Sequence, residues 1–225
     1  MRRIYLIFIC ILLIGRANSQ ILDVPARYDA PRNFNWCVYV ACHSILVYYG
    51  KTVQACDIVE YLRSKYPNHY DSKESCCQTP VPSGCNRGWY SSRVYEILDN
   101  WSIPSKYHSR ALTENELRSD MANNRPFYIS FTGHAMVGFG YYNDDVYIHD
   151  YKGTIIMSYD EVITNGPWMD GRPWNKSVRL TANATNCPQY QNIVGSLTGF
   201  NSSYKALQGI TANCLIQSYG EKHSN

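Results

Sequence analysis

The sequence predicts an α+β fold: an N-terminal helical part that carries a cysteine at a helix start, then an antiparallel β-sheet. Two patterns carry this prediction. Before Pro126 apolar residues recur at helical spacing, and beyond it the spacing changes to two. Helices first and strands afterwards give segregated layers rather than alternating βαβ units.

The first residues stand apart from the fold. Arg2 and Arg3 precede an unbroken apolar run from Ile4 to Ile14, and Ala17, Asn18 and Ser19 follow. A basic start, a short apolar run and small residues before a cut predict a secretory signal peptide over 1–19. The run is short for a membrane span and no later segment approaches that length. The chain is therefore expected to be secreted, extracellular, free of membrane and monomeric. A single domain is expected over 20–180.

Val38, Ala41, Cys42, Ile45, Leu46 and Tyr49 fall on one face of a helix that Gly50 ends, which puts Cys37 in its first turn. A second helix is predicted over Ala55 to Lys65, ahead of Pro67. From Ser72 to Gly88 the paired cysteines, Pro80, Pro82 and Gly84 predict a compact, bridged loop. A third helix is expected over Tyr90 to Asp99. Thr113 with Glu116 forms a capping box that opens a fourth, Glu114 to Asn123. Beyond Pro126, "PFYISFTG", "HAMVGFGYY", "DVYIHDY" and "GTIIMSYDEV" read as successive strands, with a turn at Asn143-Asp144-Asp145. From residue 181 the pattern weakens, and 181–225 is expected to be an extension tethered by a disulfide.

Charge excludes one class of partner. The chain has 21 basic and 18 acidic residues, but Arg2, Arg3 and Arg16 lie in the leader, so the exported part is formally neutral. With no basic cluster interleaved with aromatics, nucleic acid is not an expected partner. The 20 tyrosines sit largely within helix and strand patterns and are explained by packing. Asn100, Asn175, Asn183 and Asn201 each begin an Asn-x-Ser/Thr sequon, a glycan site in an exported eukaryotic protein.

Cys10 leaves with the leader, and Cys37, Cys42, Cys56, Cys76, Cys77, Cys85, Cys187 and Cys214 remain. An even set in an oxidising compartment is compatible with full pairing. If Cys37 is a reactive thiol, one other cysteine stays unpaired, and Cys42 on the core face of its helix fits that place. Cys187 and Cys214, isolated from the rest, are expected to pair, leaving Cys56, Cys76, Cys77 and Cys85 to the bridged loop. Zinc is disfavoured because Cys76-Cys77 lacks the usual gap and no histidine lies at ligand spacing. No cofactor is expected.

A helix N-terminus favours anions, so Cys37 is well placed to act as a thiolate. A nucleophilic thiol needs a base, and the base an orienting partner. His43 lies about 240° around the same helix and points away. His69, His108 and His223 are expected in exposed loops. His134 opens a strand whose hairpin partner ends in His149-Asp150. Alternation lets only one of these two face His134, and one residue of slip exchanges them.

"LDVP" at 22–25, "NWC" at 35–37, "VYYG" at 47–50, "GHAMVGFGYYNDDVYIHDY" at 133–151 and the loop with Cys76, Cys77, Pro80, Cys85, Asn86 and Gly88 resemble papain-like cysteine peptidases. The likeness is to the compact branch of bacteriocin-processing and secreted "NWCWAA"-type effector peptidases, and spans about residues 21–160. It implies hydrolysis of peptide bonds through a thioester acyl-enzyme, with Cys37 as nucleophile, His134 as base and Asp150 as orienter. It implies a peptide or protein substrate and possible control by a proteinaceous inhibitor. The short stretch between Ser19 and Cys37 leaves no room for a folded inhibitory pro-domain, so pH, redox state or such an inhibitor is expected to regulate activity.

The sequence departs from the family at two positions. Relatives carry a glutamine before the nucleophile that joins the cysteine N–H in the oxyanion hole. Here Asp29 to Phe34 contains none, leaving Asn33 and Arg32 as candidate donors. Val38 stands where the branch has tryptophan. Loss of one oxyanion donor costs about 2.7–4 kcal/mol. Two further functions therefore stand beside the peptidase: a catalytically weak or inactive binding module that uses the same cleft, and another Cys-His acyl transferase such as an amidase.

Overall fold

The computed structural model describes residues 21–26, 35–150, 152–167 and 171–181. The predicted leader, Arg32 and Asn33, and the extension with Asn183, Cys187, Asn201 and Cys214 lie outside the described residues. Among the described residues no helix is long and apolar enough to cross a membrane.

Helix α1 spans Cys37–Tyr48. Gly50 takes the left-handed backbone (φ +72°), and the N–H groups of Gly50 and Lys51 bond to Val47 O and Leu46 O at 2.9 and 3.0 Å. This crossed pair satisfies the last carbonyls and stops the helix where its apolar stripe ends. The stripe understates the burial: Val38 to Leu46 and Tyr48 are all buried, including His43. The reason is that α1 lies between the sheet and two helices, α2 (Ala55–Lys65) and α3 (Val94–Asn100). A helix enclosed on all sides has no solvated face to read.

The third predicted helix is divided. Tyr90 is extended, Ser91–Arg93 form a 3-10 turn and only Val94–Asn100 is α-helical. Ser91 sets this break, because its hydroxyl bonds to those of Tyr128 (3.0 Å) and Ser130 (2.8 Å) in the sheet. Helix α4, Glu114–Ala122, has the expected capping box and ends one residue early.

Six antiparallel strands follow the order β1-β6-β2-β3-β4-β5: β1 Ser105–His108, β2 Phe127–Phe131, β3 His134–Tyr142, β4 Asp145–Asp150, β5 Gly153–Ser158 and β6 Lys176–Leu180. The meander β2 to β5 follows the predicted one. Its fourth segment is corrected: after Ser158 the chain turns into helix α5, Tyr159–Thr164, because Ser158 and Glu161 form a capping box. Strands β1 and β6 were not predicted. The β3–β4 turn has Asn143 and Asp144 at positive φ (49° and 67°), the two-residue geometry whose twist matches paired strands.

Two disulfides tie the loop before α3, Cys56–Cys77 and Cys76–Cys85. Among the described residues Cys37 and Cys42 keep free thiols. On the far side of the sheet, the fully buried Asp120 of α4 binds Arg179 of β6 (2.7 Å) and Arg125 (2.8 Å).

Candidate active site

The site is assembled by a helix start, a hairpin turn and a β-bulge. Cys37 occupies the first position of α1 and is partly exposed. Trp36 caps the helix without a side-chain hydrogen bond, so the first N–H groups of α1 have no capping oxygen from the N-cap side chain. Helix α1 packs against β3, and β3 begins at His134.

His134 is held by the two-residue turn Thr132-Gly133, where Gly133 has φ +81°. Residues near β6 brace this turn. Arg172 donates to Thr132 O at 3.2 Å, Asn175 Nδ2 donates to Thr132 Oγ1 at 3.2 Å, and Asn175 N–H donates to Ser130 O at 3.1 Å.

The choice between His149 and Asp150 is made by the bulge. From the turn inward Tyr142, Tyr141 and Gly140 pair with Asp145, Val146 and Tyr147, but Gly138 then pairs with Ile148 and Val137 with His149. Phe139 is the extra residue. Without it Val137 would face Asp150, and His149 would share a face with His134. With it, Val137 and His149 share one face, while Asp150 turns to the other, where His134 lies. His134 Nε2 meets Asp150 Oδ1 at 2.7 Å, and their side chains are 14% and 2% exposed. His149 instead stacks on Phe139 (centroids 3.9 Å apart) and reaches Val24 O at 2.9 Å, so it anchors the N-terminal segment.

The Cys37 thiol lies close enough to His134 to act on its titration. With Nε2 engaged by Asp150, Nδ1 is the ring nitrogen that serves the sulfur. Burial alone pulls the pKa of this imidazole down. The hydrogen bonds and charges of Asp150 and Cys37 outweigh burial and raise it to about 9. Cys37, His134 and Asp150 thus form one connected chain of a thiol, an imidazole and a carboxylate. The chemistry open to such a chain is proton transfer between sulfur and ring, with the carboxylate fixing the tautomer.

Cys42 is fully buried, and burial pushes its thiol pKa up, with Cys37 adding to the effect. Five residues of helix separate the two sulfurs' backbones by about 7.5 Å, beyond disulfide reach while α1 stands. Two of the histidines expected in exposed loops, His69 and His108, are placed differently, and His223 lies outside the described residues. His43 is buried within the helical layer. His69 is no isolated loop residue: it donates to Gly88 O at 2.9 Å and packs against Tyr70, Trp89 and Tyr90. His108 belongs to β1.

Several contacts around Cys37 gave no sequence signal. Trp36 Nε1 donates to Cys85 O (2.9 Å), Tyr39 donates to Arg87 O (2.7 Å), and Asn35 N–H donates to Asn86 Oδ1 (2.6 Å). The "CN" after the bridged loop was visible, but its contact with "NW" is about fifty residues away in sequence. Of the sequons, Asn100 is exposed at the end of α3. Asn175 spends its Nδ2 on Thr132, and the sequon serine, Ser177, is fully buried.

A sequence model of the Peptidase_C39 like family matches residues 21–174. Among solved structures, a putative C39-like peptidase from Bacillus anthracis is 14% identical, with a TM-score of 0.47 over 73% of this chain and 98% of that one. A double glycine motif protease from an AMS/PCAT transporter, crystallised in complex with the leader peptide, is 15% identical, with a TM-score of 0.42 over 72% of this chain and 99% of that one. No curated protein matches this chain.

Proposed function

The chain belongs to the Peptidase_C39 like family and is related to papain-like cysteine peptidases, and we propose that it is a secreted peptidase that cleaves peptide bonds with Cys37, His134 and Asp150. The observation that carries this reading is the 2.7 Å hydrogen bond between His134 and Asp150 beside the Cys37 thiol at the start of α1.

In the first step Cys37 Sγ attacks the scissile carbonyl carbon, forming a C–S bond, and its proton resides on His134 Nδ1. The carbonyl oxygen becomes an oxyanion, met by the N–H of Cys37 at the positive end of α1. Arg32 and Asn33 are the candidates for the second donor. His134 then gives its proton to the departing amine as the C–N bond breaks, leaving a thioester. Water, deprotonated by His134, attacks the thioester; the carboxylic product leaves and the thiol is restored. Asp150 stabilises the imidazolium throughout and does not itself take the proton.

Hydrolysis of a fluorogenic peptide amide by the purified protein tests this, and Cys37→Ala is expected to abolish it. Equal turnover by Cys37→Ala would remove the reading. The alternative is a binding module that uses the same cleft without turnover, and it is favoured by the absence of glutamine between Asp29 and Phe34. Substrate binding without hydrolysis by the intact protein is its signature.

The secreted, monomeric state and the possible proteinaceous inhibitor belong to this proposal. Signal-peptide composition over 1–19 and the two disulfides support export. A glycan map after expression through a eukaryotic secretory pathway checks it. Asn100 is expected to be modified and Asn175 bare, since its side chain and Ser177 are committed to the fold. A glycan on Asn175 would contradict that assignment.

A further inference from the structure

The nucleophile helix has no cap from its N-cap side chain, yet its start is held firmly from elsewhere. Three consecutive residues of the bridged loop reach it. Cys85 O accepts from Trp36 Nε1 (2.9 Å, buried), Asn86 Oδ1 accepts from Asn35 N–H (2.6 Å), and Arg87 O accepts from Tyr39 (2.7 Å). Tyr39 is in turn bonded to Tyr70 at 2.9 Å. Residues 35, 36 and 39 bracket Cys37 on both sides.

The loop has a rigid base from which to do this. Cys85 is joined to Cys76, and Cys77 to Cys56 in α2. Glu60 of α2 accepts from Ser75 Oγ at 2.9 Å and from the Cys76 N–H. Gly84 is pressed against the backbone of Asp71 and Ser72, where a Cβ would lie 2.6 Å from Ser72 N. Of the three contacts to α1, two come from backbone carbonyls that any residue would supply. The Asn86 carboxamide is the one made by a side chain, and it fixes the peptide just before the N-cap.

We propose that Asn86 is a positioning residue for the nucleophile: held by the Cys76–Cys85 bridge, its Oδ1 fixes the Asn35–Trp36 segment and thereby the direction from which Cys37 meets His134. This rests on the peptidase reading and adds to it a dependence on a residue that touches neither substrate nor base. It also gives the bridge a second consequence. Reduction of Cys76–Cys85 releases the residue next to Asn86 and loosens the nucleophile without touching it.

The test compares wild type, Asn86→Ala, Asn86→Asp and the isosteric Asn86→Leu. An epoxide-bearing peptide that alkylates activated thiols is the probe, and the rate of Cys37 alkylation is measured against pH. Asn86→Ala and Asn86→Leu are expected to slow alkylation about three- to tenfold, the worth of one hydrogen bond to backbone. They are also expected to lower the alkaline limit of the rate profile and to reduce kcat with KM unchanged. Asn86→Asp, which keeps an acceptor oxygen, is expected to restore the rate. Wild-type rates and an unmoved pH profile in either the Ala or the Leu variant would overturn the proposal, as would failure of Asp to rescue. Should Asn86→Ala not fold, the Leu and Asp variants decide alone. A wild-type protein that is never alkylated at Cys37 refutes the peptidase reading instead, which separates the two failures.

Discussion

His134→Ala is expected to lower kcat/KM for a peptide substrate by about 10²–10⁴-fold, the range supplied by a positioned acid–base group, while the protein stays folded. His134 lies at the mouth of β3 with a partly exposed side chain, so its truncation opens no core cavity. What it removes is the imidazole that stands beside Cys37, and with it both proton transfers of the cycle. The companion change, Asp150→Asn, keeps the volume and the face set by the bulge at Phe139 but removes the charge. A hydrogen bond to a charged group is worth about 1.5–3 kcal/mol in all and a neutral one about 1, so the exchange costs at most about 2 kcal/mol, or up to roughly 30-fold in rate.

The pH dependence has a definite sign. The His134 pKa is raised from 6.5 to about 9 in the folded protein. Its stabilising contribution is therefore complete below about pH 6.5 and lost as pH rises through about 9. The activity that depends on the imidazolium should fall over the same alkaline interval. In Asp150→Asn one of the partners that raises the value is weakened, burial gains weight, and the alkaline limb should move down toward 6.5. A rate profile with the same alkaline limb in both proteins would show that Asp150 does not act on His134.

Asp120→Ala is expected to destabilise the fold by about 3–5 kcal/mol, the cost of removing one member of a buried ion pair. At 2–4 °C per kcal/mol for a chain of this size, the thermal midpoint should fall by roughly 6–20 °C. Asp120 is fully buried and holds Arg179 of β6 through two contacts of 2.9 and 2.7 Å, and Arg125 at 2.8 Å. Burial pushes its carboxyl pKa up, and the arginines only partly pull it back. The ion cluster is therefore a weak source of net stability, but deleting the carboxylate takes the main partner from two guanidinium groups whose side chains are 14% and 24% exposed, leaving Arg179 only Glu116 at 4.0 Å. The loss falls on β6, which lies between β1 and β2 and leads back to the turn that carries His134. A thermal melt measures it, and a midpoint within about 2 °C of wild type would contradict the assigned role.

Much of the helical layer was legible. The apolar stripe from Val38 to Tyr49 with Gly50 located α1, and the predicted limits of α2, Ala55 to Lys65, are those observed. The thiol, imidazole and carboxylate were legible as residue types, and in the structure His134 and Asp150 are hydrogen-bonded with Cys37 beside the imidazole. Their facing was not, because it depends on a bulge that no local pattern announces. Gly138 permits the local geometry: a Cβ there would lie 2.1 Å from the Phe127 ring on β2. That contact is a property of the assembled sheet. Strand β1, "SKYH", and strand β6, "KSVRL", were missed because polar residues interrupt both, and those of β6 find their partners only in the folded chain. Ser177 bonds to Arg110 O at 2.8 Å, and Arg179 to Asp120. Helix α5 was legible and overlooked, since Ser158 and Glu161 repeat the capping signal that located α4. The clamp on α1 from Cys85, Asn86 and Arg87 joins segments distant in sequence, and only folding reveals it.

The most direct measurement is thiol mapping on the native protein. It is treated at mildly acidic pH with an electrophilic epoxide peptide, and the adduct is located by mass spectrometry. The account predicts one adduct, on Cys37, lost in His134→Ala, with the buried Cys42 modified only after unfolding. Cys37 recovered in a disulfide, or left unmodified while free, would contradict it.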